Sequence, residues 1–217
     1  LEFRRVLFRS QTKQLLKKKQ SKPQGINKEK LDNRQRFLET VSESLVQDLQ
    51  GDVPESRKGA GRWTLNNVAI RQFSDYVHGR GPTLPIHDIS DEDVDHVLNS
   101  MYHSLGNKDV FDKIVGRIAH KGAVSSTRTT PARARAVLHS FLQCAGRSVV
   151  SGNQLRFSSA QLDHRIPVSL GGEDIPDNWV WMEGRYNQFK NNLTGEALRD
   201  RISREMRLSP DERKQRD

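Results

Sequence analysis

The residues of this chain best suited to chemistry lie in its last third. Asp163 and His164 are adjacent, Arg165 follows them, and Asn178 comes fourteen residues after His164. Asn187, Lys190 and Asn191 come nine, twelve and thirteen residues after Asn178. An imidazole can take a proton from water near neutral pH, which fits His164 as a general base. Lys190 or Arg165 can neutralise a phosphate. Phosphodiester hydrolysis needs an activated water, charge stabilisation around phosphorus and help for the departing 3′ oxygen. Adjacent residues of an extended strand point to opposite faces, so Asp163 and His164 can serve a metal and a water separately only if the strand bends there. The loop at Pro167 is placed to supply that bend.

Three kinds of element must position these groups. Val149-Val150, the turn Ser151-Gly152-Asn153 and partial alternation from Leu155 to Leu162 predict a β-hairpin. Pro176-Asp177-Asn178 reads as a turn before a short apolar strand, Trp179 to Met182, whose tryptophans pack the sheet. The spacing of Asn187, Lys190 and Asn191 puts them on one face of a helix. Thr194 is placed to cap a helix through Leu198, Ile202 and Met206, and Ser209 with Glu212 forms a further capping box.

Upstream, apolar residues recur at helical spacing in five segments. They are Leu38 to Leu49, Leu65 to Val77, Val94 to Leu105, Phe111 to Ile118 and Val137 to Leu142. The third opens on a Ser90/Asp93 capping box and closes at Gly106, and the fifth opens on Thr130 with Pro131 at its first position. The glycines and prolines at 51, 54, 59 and 61 end the first. Arg128, Arg133 and Arg135 crowd the start of the fifth helix, where free N–H groups and the helix dipole also favour an anion, so phosphate contact is expected there. His78, His87, His96, His103, His120 and His139 show no metal-ligand spacing and read as structural.

Charge is unevenly spread along the 217 residues, whose net charge is +9. Lys and Arg against Asp and Glu give +9 over 1–36, −7 over 37–112, +8 over 113–165 and −1 over 166–217. Asp163 is the only acid in the third block. A basic stretch ending at the chemically interesting pair points to nucleic acid. Residues 11–36, with Lys17, Lys18 and Lys19, read as a disordered arm able to contact phosphates without sequence preference. The opening LEFRRVLFRS differs in texture, with no methionine before Met101, and is expected to be non-native. A single cysteine, Cys144, excludes an internal disulfide and a four-cysteine zinc site. No apolar run is long enough for a membrane span, and with a single cysteine a soluble protein of a reducing cytoplasm is expected.

The joint pattern of Asp163-His164, Pro167, Gly171-Gly172, Asn178, Asn187 and Lys190 resembles the HNH endonuclease family of the ββα-metal, or His-Me finger, fold. Its spacing is similar to that of the HNH nuclease domain of CRISPR-guided DNA endonucleases. The resemblance covers residues 145–200. It implies a DNA endonuclease of the homing, phage or junction-processing type, with His164, Asn178 and Lys190 as the catalytic set. Asp163 and Asn187 would hold one Mg²⁺, with Asn191 as a further ligand and Mn²⁺ able to substitute. Asn178 would bond backbone across the loop and so orient His164. Many members carry two Cys-x-x-Cys pairs around a structural zinc, which this sequence lacks, and an asparagine stands at 187 where many have histidine. An amide oxygen is a hard neutral ligand, which favours Mg²⁺.

The expected architecture is therefore α+β. A basic arm over 1–36 precedes a helical DNA-binding or support region over 37–145 and a ββα-metal domain over 146–217. Arg128, Arg133, Arg135 and Arg165 would contact DNA. One site per chain cuts one strand, so a homodimer or two successive nicks would be needed to cut both. A protein that has kept the scaffold and binds nucleic acid without cutting it is the alternative.

Overall fold

The computed structural model describes residues 28–50, 65–124, 127–209 and 212, with side chains from residue 33 onward. Among the described residues there are seven α-helices and one two-stranded antiparallel sheet. The helices are α1 Lys28–Gln50, α2 Asn67–Val77, α3 Asp91–Leu105, α4 Lys108–Ala119, α5 Pro131–Gln143, α6 Gly184–Lys190 and α7 Gly195–Arg207. The strands are β1 Ala160–His164 and β2 Trp179–Glu183. No described helix is long and apolar enough to cross a membrane. Most of the basic arm, the opening LEFRRVLFRS and the glycine and proline stop signals at 51–61 lie outside the described residues.

Local signals set most helix ends. Ser90 accepts from Asp93 N while the Asp93 carboxylate accepts from Ser90 N, and Gly106 ends α3 at φ 60°. Thr130 accepts from Arg133 N, and Pro131 begins α5. Each cap of this kind stabilises its helix by about 1 kcal/mol. Ser209 and Glu212 also form their reciprocal box. Two starts differ from expectation. Helix α1 begins at Lys28, so residues 28–36 are helical and not part of a disordered arm. Thr194 occupies the N-cap of α7, but its side chain makes no capping bond.

The described residues from 38 onward form one compact unit. Its core joins α2, β2, α6 and α7, where Phe73 stacks against Tyr186 and meets Phe189 edge-on. The change of texture near residue 146 is thus a change of secondary structure inside one packed body. On the other sheet face, Trp181 packs on Phe141 of α5 and on Phe157. Burying side chains of this size contributes about 1.5–3 kcal/mol each.

The hairpin expected over 149–162 does not form. Only Arg147 and Gln154 make an isolated bridge, and β1 starts at Ala160 and pairs with β2. The reason is distant in sequence. The Asp48 carboxylate of α1 accepts from Ser158 N and Ser158 Oγ, both at 3.0 Å, and pairs with Arg156. Lys121 Nζ donates to the carbonyls of Ser158 and Ala160. These bonds hold 156–159 as a loop, and β1 emerges from it in register with His164 opposite Trp179 and Asp163 opposite Val180.

Candidate active site

The strand register decides which groups meet. Residues directly opposite in an antiparallel pair share a face. His164 therefore lies on the face of Leu162, Trp179 and Trp181, toward α5, and Asp163 on the face of Val180 and Met182, toward α6. Pairing stays regular through the end of β1, and Arg165 N still donates to Asn178 O at 2.8 Å. The bend that Pro167 was expected to give falls at Arg165 and Ile166, past the pair, so Asp163 and His164 keep opposite faces of the strand.

On the α5 face, His164 is 6% exposed, and its Nε2 is 3.0 Å from Asp174 Oδ1. Asp174 also accepts from Trp179 Nε1 at 2.9 Å, Thr127 Oγ1 at 2.7 Å and Arg133 Nη1 at 2.9 Å. Partial burial pushes the Asp174 carboxyl up. The hydrogen bonds from Thr127, His164 and Trp179 and the Arg133 charge outweigh it and hold the group down at about 2. An ionised carboxylate only accepts, so the His164 nitrogen facing it carries the hydrogen. Nδ1 is then the nitrogen with the free lone pair, the atom able to take a proton.

On the α6 face, Lys190 is 3% exposed and its Nζ donates to His164 O at 2.8 Å. The same Nζ stands 2.8 Å from Asp163 Oδ2, an ion-pair distance at an angle that makes no hydrogen bond, and that oxygen is buried with no hydrogen-bond partner. Asn187 lies half-buried one helical turn before Lys190. A buried carboxylate oxygen lacking a hydrogen bond is the kind of donor a hard cation such as Mg²⁺ takes, and Asn187 would be its second ligand. Tyr76 of α2 faces the same region. Burial pushes its phenol up, the Arg165 charge lowers it and the Asp163 charge raises it.

Asn178 closes the loop between the strands. Its Oδ1 accepts from Ile166 N at 2.9 Å, and its Nδ2 donates to Ile166 O and Glu173 O. Gly172 sits inside this clamp, where an added Cβ would lie 1.9 Å from Ile166 O and 2.9 Å from Asn178 Nδ2. Gly172→Ala should therefore force the loop open and destabilise the protein by about 1–3 kcal/mol, read from urea unfolding midpoints. An unchanged midpoint would show that the clamp is not under steric demand.

Several expected contributors are placed elsewhere. Arg133 does not offer its guanidinium to an external anion. It is 9% exposed, donates to Ala119 O, Lys121 O and Asp174, and lies over the Trp179 ring. Arg135 pairs with Asp95 of α3. Asn191 is not on the Asn187 face, because α6 ends at Lys190 and Asn191 is its exposed C-cap at φ 50°. Arg128 and Arg165 are exposed. The sequence reading missed Asp174, Thr127 and Tyr76. Asp174, an acid ten residues after His164 on the returning loop, was the one with a readable signal. No protein-family model, curated protein or solved structure matches this chain.

Proposed function

We propose that this protein is a metal-dependent DNA endonuclease whose 146–217 segment is of the HNH type. The observation that carries this reading is the end of β1. There His164 is held by an ionised acid, and Asp163 offers a buried carboxylate oxygen on the opposite face of the same strand. Asn178 fixes the connecting loop by three bonds to its backbone.

In the chemistry we infer, His164 takes the proton of the attacking water at Nδ1. The imidazolium that results is stabilised by the Asp174 carboxylate at Nε2. Asp174 also fixes the ring's tautomer, and Thr127, Arg133 and Trp179 fix Asp174. Asp163 and Asn187 would hold Mg²⁺, which supplies Lewis-acid stabilisation of the phosphate and the departing oxygen. Arg165 and Arg128, exposed near this end of the strand, supply phosphate contacts. One such site cuts one strand, so cleavage of both requires a homodimer or two nicks.

Supercoiled plasmid tests the reading. Mg²⁺ or Mn²⁺ should convert it to nicked circles, and EDTA should abolish conversion. Salt-sensitive binding without nicking under any metal would favour a binding protein on this scaffold, a reading to which the burial of Lys190 against Asp163 lends weight. Neither binding nor nicking would overturn both.

A further inference from the structure

Asp163 and Lys190 form a buried ion pair, with side chains 13% and 3% exposed. A carboxylate this far from water requires a compensating cation, and removing one partner of such a pair is strongly destabilising. In the folded chain that cation is the Lys190 ammonium, 2.8 Å from Oδ2. Oδ2 is also the oxygen without a hydrogen bond, and so the one free to ligate a metal. Two cations against one oxygen repel each other strongly in a poorly hydrated site. Lys190 has a second anchor, the His164 carbonyl at 2.8 Å, on which it can stay folded into the structure after losing Asp163.

We propose that the Lys190 ammonium occupies the cation position on Asp163 and is displaced from it when a divalent metal binds, so that Lys190 stabilises the metal-free fold and weakens metal affinity. This rests on the reading of Asp163 as a metal ligand. It assigns Lys190 a role distinct from phosphate neutralisation: it substitutes for the metal. Binding of Mg²⁺ then leaves the ammonium on the His164 carbonyl alone, which links metal occupancy to the backbone at the end of β1.

The test uses the full chain, its Lys190→Met and Lys190→Arg variants, and the double variant Asp163→Ala/Lys190→Met. Mg²⁺ and Mn²⁺ binding is measured by calorimetry, and thermal unfolding is followed with and without metal. Without metal, Lys190→Met should melt below the wild type. Saturating Mg²⁺ should raise its Tm more than it raises that of the wild type, and its metal Kd should be lower by about tenfold or more. Lys190→Arg, which keeps the charge, should bind metal as weakly as the wild type. Should Lys190→Met be unfolded without metal, recovery of its helical circular dichroism on adding Mg²⁺ is the same result, and failure to recover overturns the proposal. Metal binding by the wild type with equal or weaker binding by Lys190→Met also overturns it. Equally tight binding by the Arg and Met variants does so too, because charge would not be the competitor. If no form binds metal, or if the double variant binds as well as Lys190→Met, Asp163 is not a ligand and the functional reading itself fails.

Discussion

Replacing His164 with Ala should reduce plasmid nicking by about 10²–10⁴-fold while leaving DNA affinity nearly unchanged. The size follows from what is lost. In this geometry His164 is the proton acceptor on the α5 face at the end of β1, since the neighbouring Asp174 carboxylate is ionised and engaged with four donors. The fold should survive the change. Without His164, Asp174 still accepts from Trp179, Thr127 and Arg133, and Asn178 still clamps the loop from the other side. In the proposed reading, phosphate contact would rest on Arg128 and Arg165, which are exposed and do not depend on the imidazole. Single-turnover rates at saturating DNA, with circular dichroism as the fold control, separate these quantities. A well-folded variant cutting within about threefold of the wild type would remove His164 from the mechanism.

How much of this was legible in the sequence depends on how far apart the interacting residues are. Helix α3 could be bounded in advance because Ser90, Asp93 and Gly106 are its own punctuation, and α5 because Thr130 and Pro131 are adjacent. The 149–162 hairpin could not be excluded, since what prevents it is Asp48, 110 residues before the Ser158 amide that it binds. Nothing in the alternation of 155–162 reports that competition.

Arg133 illustrates the same limit at the site. At a helix start among other arginines it reads as an anion contact, yet its partner Asp174 lies 41 residues on and turns it into a buried brace. Asn191 fails for a local reason. The three-and-four rule presumes a continuing helix, and α6 stops at Lys190. The opposition of Asp163 and His164 across the strand was readable from β periodicity alone. That β1 stays regular to its end, with Lys190 of the Asp163 face reaching the His164 carbonyl, required the register.

Asp174 is where the structure adds most, and Asp174→Asn should cost nearly as much as loss of the base, about 10²–10⁴-fold in nicking rate. The substitution preserves shape but replaces two acceptor lone pairs with an N–H₂ group. Oriented with its oxygen toward Thr127 and Arg133, the amide points its hydrogens at His164 Nε2 and Trp179 Nε1. The imidazole must then carry its hydrogen on Nδ1 and lose the lone pair that takes the water's proton. Oriented the other way, the amide confronts the Arg133 guanidinium. A stability measurement distinguishes this role from a merely structural one.

The Asp174 carboxyl is lowered from 3.8 to about 2 on folding, so in the wild type it stabilises the folded state above pH 4. That contribution is lost as pH falls from about 4 toward 2. Asn cannot titrate, so Asp174→Asn should be less stable than the wild type at pH 7, and the gap in urea midpoint should close as pH falls through that window. A gap that stays constant from pH 4 to pH 2 would show that the ionised carboxylate is not what the loop relies on. A nicking rate within tenfold of the wild type would show that the tautomer of His164 is fixed by something other than Asp174.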